Sequence, residues 1–238
     1  MSSKAFKEWL AKRDEAWRER VEVVAMDGFL PRKREVPPGF KTAAAEELPE
    51  AQAVMDPFHV VQLAGDTLDR ARQRIQQETT GHRGRSGDPL YGVRRTLHTG
   101  MDLLTGKQRT RLEAVFTQDC HAQVEATWNI YQKIVGAYRD PDRSAGRAQL
   151  AHLIDAIHTG VPTVLAEITT LGRTLKRRAA DILAYFDHPG TSNGPSEAIN
   201  GRLEHLRGSA LGFRNLHNYI ARSLLETGGF KPRLHPQS

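Results

Sequence analysis

From His59 to about Phe186 the chain repeats apolar residues at the three- and four-residue spacing of a helix, almost without a break. Trp128, Ile130, Tyr131, Ile134, Val135 and Tyr138 form one stripe, and Leu165, Ile168, Leu171, Leu175, Ile182 and Leu183 another. Stripes of this width are the buried faces of packed helices, and neither has the look of a cofactor box. The pattern pauses at "TTGHRGRSGDP", "DPDRSAG" and "HTGVP", which supply the loops. More than half of the chain is therefore expected to be an all-helical unit folded on itself.

The N-terminal part has a different period. Phe6, Leu10 and Trp17, set among charges in residues 4–20, predict a short amphipathic helix. "VEVVAMD" then gives a β-branched apolar run ending on Asp27, of the kind buried on both faces of a sheet. "LPRKREVPPG" is a proline-broken loop, "KTAAAEELPE" a helical piece, and "AQAVMDPFHVV" a second apolar run ending on Asp56, with Pro57 to stop it. Strand, acid, helix, strand, acid is a fragment of an α/β sheet. In such sheets ligands and metals collect at the carboxyl ends of the strands, although an aspartate there also serves simply to start a turn.

Near the other end stands "TSNGPSEAINGRLEHLRGSALGFRN", Thr191 to Asn215. Its turn-forming start opens into a helix that places Glu197, Asn200 and Glu204 on one face. Arg202, Arg207 and Arg214 lie among and after them, and "NLHNYIARSLLETGG" forms a last helix. A glutamate in a first turn complements the helix dipole. Taken with two strand-end aspartates it is also the acid set that can hold two Mg2+ ions about 4 Å apart for phosphoryl displacement. The net charge of the 238 residues is +6, which attracts nucleic acid, an anionic membrane or an acidic partner. The single cysteine, Cys120, excludes an intrachain disulfide and a Cys-rich zinc module, and is expected to be a half-buried small hydrophobe. No apolar run approaches the ~18 residues that span a bilayer, and residues 1–26 lack the apolar core of a signal peptide. A cytoplasmic location is expected.

"SNGPSEAINGRLEHLRGSALGFRN" closely resembles the signature at the C-terminal end of the ISL3-family insertion-sequence transposases. "VVAMDGF", "AVMDPFHVV" and "ILAYFDHPGTSNG" resemble the same family, in order, at the corresponding places. The resemblance implies a DDE transposase: a mostly helical α/β chain with an RNase H-like catalytic fold, two aspartates and a glutamate on Mg2+ (or Mn2+), and a large all-α insertion ahead of the glutamate helix. On this reading residues 1–62 are a partial RNase H-like sheet region, 63–186 the helical insertion, and 187–238 the glutamate helix and tail. Glu197 matches the final acid and Asp27 the second aspartate, which makes both metal ligands. Asp56 matches a position beside the site and is a further catalytic candidate. Asn193, Asn200, Arg202, Arg207 and Arg214 become DNA-binding residues, the arginines holding phosphates.

The family's first aspartate lies on an upstream strand that this chain begins too late to include. The family's Cys-rich and helix-turn-helix DNA-reading modules have no counterpart here. "LPRKREVPP" also intervenes between "MDGF" and "GFKTA", segments that are nearly contiguous in the family. The resemblance therefore implies the C-terminal part of a transposase, truncated and weakly active or inactive, binding Mg2+ weakly. Its expected partners are insertion-sequence ends, target DNA, and further copies or full-length transposase. The other reading is a non-catalytic basic module that binds DNA or pairs with intact transposase. Outside these motifs, His59 reads as a structural histidine at a helix start rather than a ligand of hard Mg2+. Lys176-Arg177-Arg178 and the loop "HRGRSG" at 82–87 read either as solvated charge or as phosphate contacts.

Overall fold

The computed structural model describes residues 3–26 and 39–227. Asp27 and the intervening segment 30–38 lie outside the described residues. The chain divides into two compact units, 1–191 and 192–238.

The first unit opens with α1 (Ser3–Ala11) and α2 (Glu15–Glu19), where the sequence predicts one helix. The break falls at Asp14, whose side chain accepts from the Trp17 N–H at 2.7 Å and starts a new helix. Strands β1 (Val23–Met26) and β2 (Gln52–Met55) follow, with α3 (Phe40–Glu47) in the connection between them. They pair in parallel, Val23 opposite Gln52 and Met26 opposite Met55. This is the strand–helix–strand unit that the two apolar runs predict. β1 is less covered than expected, since Val23, Val24 and Ala25 are only half-buried and Met26 alone is buried.

From Pro57 to Asp187 every described regular element is helical. The helices are α4 (Pro57–Thr80), α5 (Pro89–Gly92), α6 (Gly106–Phe116), α7 (Ala122–Arg139), α8 (Arg143–Thr159), α9 (Ala166–Arg177) and α10 (Ala179–Asp187), with short 3-10 turns before and after α6. Capping chemistry sets several starts. Thr105 and Gln108 form a capping box at α6, and Asp142 accepts from the Ser144 and Ala145 N–H groups at α8. α4 packs along α7 and α9, α7 along α8, α8 along α9 and α10, and α10 lies on β2. One core runs through all of them, from Met55 through Leu68, Ile134, Ile154, Ile168 and Leu175 to Phe186. Both sequence stripes face it: Trp128, Tyr131, Ile134, Val135, Ile168, Leu171, Leu175 and Ile182 are buried. The sheet and the helices thus share a core. Beside it Arg72 is buried, donating to Gln76 Oε1 at 2.5 Å and pairing with Asp69 at 3.0 Å. Asp69 also meets His98 Nε2 at 3.1 Å.

The second unit contains α11 (Gly194–Ser209) and α12 (Leu216–Thr227), which pack on each other as a helical hairpin. Neither helix has a buried residue. Among the described residues no helix is long and apolar enough to cross a membrane.

Two helix crossings are close enough to be tested. A methyl group on Gly146 of α8 would overlap the Ala137 carbonyl oxygen of α7, and one on Gly172 of α9 the Ile157 carbonyl of α8. Both obstacles are backbone, so the helices themselves must separate. Gly146→Ala and Gly172→Ala are each expected to lower unfolding stability by about 1–3 kcal/mol. Gly136→Ala, in α7 with open space around it, should stabilise by up to ~1 kcal/mol through helix propensity. Urea unfolding of the full chain checks all three.

A pH test follows from Asp69. The His98 hydrogen bond, with Arg72 adding, holds its carboxyl below the ordinary value despite partial burial. A lowered folded pKa contributes stability that is present above the unfolded value of ~4 and lost as pH falls through the folded one. Asp69→Asn should therefore flatten the acid side of the stability profile below about pH 4, read from urea midpoints between neutral and acid pH.

Candidate functional site

The carboxyl end of β2 is built by the residues that begin α4. Asp56 is only 6% exposed. Its side chain accepts from the Phe58 N–H at 2.9 Å, capping α4, and Pro57 occupies the first turn, where a missing N–H costs nothing. Its backbone N–H donates to the Met26 carbonyl at 3.3 Å, extending the strand pairing to this residue. The turn-starting role of this aspartate is thus real, and the same geometry holds its carboxylate at the strand end.

Tyr138 lies near enough to Asp56 to feel its charge and packs with two further rings. Tyr138 of α7 stacks on Phe186 of α10 with centroids 5.4 Å apart and planes 4° from parallel, and meets Tyr185 edge-on at 5.7 Å. Burial pushes the Tyr138 phenol well above its usual range, with Tyr185 and the Asp56 carboxylate adding to the rise. That phenol keeps its proton at any working pH. Tyr138 is legible in the sequence as a stripe residue, but its nearness to Asp56 is not, because the two are separated by the whole of α4 to α6.

A second cluster braces the same sheet. Asp181 of α10 is 4% exposed and is met by Lys41 of α3 at 2.7 and 2.8 Å and by Arg178 at 2.8 Å. Lys41 belongs to the "GFKTA" segment, so the connection between the strands is tied to the helix that covers β2. Nothing in the local pattern announces this pair, 140 residues apart. Arg178 is thereby structural. Lys176 pairs with Asp155 at 2.6 Å, and Arg177 is exposed. In the loop at 82–87, Arg83 and Arg85 are exposed. Cys120 is exposed, against the expectation of a half-buried thiol, because it falls in a 3-10 turn before α7 rather than on a helix face.

The other candidates sit on the helical hairpin of the second unit. Asn193 precedes α11 and its carbonyl accepts from the Glu197 N–H at 3.0 Å, closing the first turn. Glu197, Asn200 and Glu204 are exposed on one face, as their spacing requires. Glu204 meets Arg207 at 3.3 Å, both largely in solvent, a pair worth little by itself. Arg202 and Arg214 are exposed.

Asp56 therefore lies in the first unit and Glu197, Asn193, Asn200, Arg202, Arg207 and Arg214 in the second, while Asp27 is outside the described residues. Among the described residues no group of three His, Cys, Asp or Glu side chains could hold a metal ion. The candidate ligands are oxygen donors, right in kind for Mg2+ or Mn2+, but the described residues do not by themselves assemble a centre.

The model of the ISL3-type DDE family, described as "Transposase", matches residues 2–223. The chain belongs to that family. It is 25% identical over 217 residues to the transposase for insertion sequence element IS1557 of Mycobacterium tuberculosis, in strains CDC 1551 and H37Rv alike, covering 81% of this chain and 47% of each relative. The chain thus spans about half the length of these relatives. No solved structure matches.

The Asp181 clamp yields a measurable expectation. Lys41 and Arg178 keep part of their hydration, so removing the acid does not strand a dry charge. Asp181→Ala is expected to cost about 1–3 kcal/mol of unfolding stability, the penalty for unmade buried hydrogen bonds, while leaving DNA affinity unchanged. Thermal melts and a binding titration on the same preparation check both halves.

Proposed function

We propose that this chain takes part in DNA transposition, in the metal-dependent cleavage and transfer of DNA strands at insertion-sequence ends. The family match over residues 2–223 carries this reading. On it, the parallel strands belong to an RNase H-like sheet, 1–62, followed by the helical insertion, 63–186, and the glutamate helix and tail, 187–238. Asp27 and Glu197 serve as metal ligands, with Asp56 beside them. Asp27 and Asp56 directly follow the paired residues Met26 and Met55, which supports a shared strand-end site. A bound Mg2+ (or Mn2+) supplies Lewis-acid stabilisation of charge developing on phosphate oxygens. The chain's own part is to orient the carboxylates and hold the DNA. Arg202, Arg207 and Arg214 neutralise phosphates, and Asn193 and Asn200 give hydrogen bonds without charge. The proposed partners are DNA, further copies of the chain, and full-length transposase.

Binding and chemistry separate in one experiment. At physiological salt the full chain should bind duplex DNA without sequence preference, with a dissociation constant of roughly 10⁻⁴ to 10⁻⁶ M that weakens steeply as salt rises. Arg207→Ala with Arg214→Ala should weaken binding and lower the slope of log K against log salt by about 1 for each phosphate no longer neutralised. Strand joining by the chain alone, with Mg2+ or Mn2+ and insertion-sequence ends, should be weak or absent. Whatever joining appears should vanish in Glu197→Gln. Salt-independent binding refutes the electrostatic interface, and joining that survives Glu197→Gln refutes the assignment of Glu197.

A further inference from the structure

The turn between α11 and α12 holds a side chain where neither backbone nor solvent favours it. α11 ends with the Leu211 N–H donating to the Gly208 carbonyl at 3.0 Å and the Gly212 N–H donating to the Arg207 carbonyl at 2.9 Å. This nested pair of bonds requires a left-handed residue at Leu211, a place where glycine is the usual choice. Leu211 adopts it with φ 52°, the only positive φ at a non-glycine residue among those described. Its side chain is also 97% exposed, more than any other large apolar side chain among the described residues. A leucine here pays for backbone crowding and gains no burial within the described chain.

The surroundings indicate what it meets. Residues 205–217, "HLRGSALGFRNLH", contain Arg207 and Arg214 and no carboxylate. Arg207 has Glu204 beside it on the preceding turn, at 3.3 Å in open solvent. Phe213 packs on Tyr219 of α12 with centroids 5.2 Å apart, which anchors the far side of the turn. The turn is therefore a hydrogen-bonded knob with Leu211 exposed at its tip, Arg207 before it and Arg214 after it in the chain, and a second exposed leucine, Leu216, where α12 begins. Phosphate-holding cations that flank an apolar wedge are how proteins unstack a base step while gripping the backbone on either side.

We propose that Leu211 is an unstacking wedge, inserting between adjacent base pairs of DNA held by Arg207 and Arg214. This rests on the DNA-binding reading above and adds to it a residue that acts on base stacking rather than on phosphate. Fixing the leucine on a left-handed turn makes it protrude, and a protruding apolar group gains by leaving water for the base stack. Flexible pyrimidine–purine steps should be the preferred points of entry, because they unstack most easily.

The test uses the full chain and duplexes carrying the fluorescent base 2-aminopurine next to TA steps, with anisotropy measuring binding separately. Saturating protein should raise the 2-aminopurine signal roughly threefold or more as the base leaves its stack. Leu211→Gly should bind with an affinity within about threefold of the unaltered chain, since phosphate contacts dominate affinity, yet lose most of the signal. Its thermal midpoint should not fall, because glycine suits the turn, so misfolding cannot account for the loss. Leu211→Met should keep the signal. The proposal is overturned if Leu211→Gly gives the full signal, or if the unaltered chain binds DNA with no signal. It is equally overturned if sedimentation shows Leu211 seating in a second protein copy, with self-association lost in Leu211→Gly and no change in stacking. Failure to bind DNA in anisotropy, by contrast, removes the underlying reading as well.

Discussion

The burial of β2 organises the first unit. Two parallel strands cannot close on each other, and a pair this short has no independent stability. Val54 and Met55 are nevertheless fully excluded from solvent, which only helices laid over the strand can achieve. α10 provides that cover, and α4 departs from the strand end itself, started by Asp56 and Pro57. α10 packs on α8 as well as on β2, so the strand's cover is itself part of the helical body. The sheet and the helical body are therefore one folding problem, and the Lys41–Asp181–Arg178 cluster fixes the connection between the strands to the same helix.

Much of this was legible because it is local. Stripes at helical spacing identified the core faces of α7, α9 and α10, and the two β-branched runs located β1 and β2. Asp56 and Pro57 marked the end of the second. What stayed hidden was long-range or competitive. No pattern rule reports that Asp181 will meet Lys41, or that Tyr138 will come to stand by Asp56, because those meetings depend on how helices distant in sequence cross. The break at Asp14 was lost for a different reason: a capping aspartate in a charged helix looks like one more surface charge. Of the candidate site, the spacing of Glu197, Asn200 and Glu204 did give their common exposed face. How that face relates to Asp56 depends on two units that share no local pattern.

The second unit obeys other constraints. With no buried residue in α11 or α12, its shape comes from helix propensity, a proline-led first turn, the closing bonds at Leu211 and Gly212, and the packing of one helix on the other. Sequence choice there is little limited by a core. Where a core does not dictate residues, departures from local preference carry more meaning, and Leu211 is such a departure.

The distribution of arginines points the same way. In the first unit the buried or partly buried guanidinium groups are committed to structure. Arg72 is held by Asp69 and Gln76, Arg74 by Glu167, Glu78 and Gln123, and Arg178 by Asp181. Those cations are neutralised where they stand, and releasing one to a phosphate would leave a carboxylate behind. In the second unit Arg202 and Arg214 are exposed and form no ion pair among the described residues, and Arg207 has only the solvent-screened contact with Glu204. Surface pairs of that kind exchange readily for a phosphate, whose charge-assisted hydrogen bonds are stronger. A chain with a net charge of +6 thus locks away its innermost arginines and leaves those of the glutamate helix and its turn exposed to solvent.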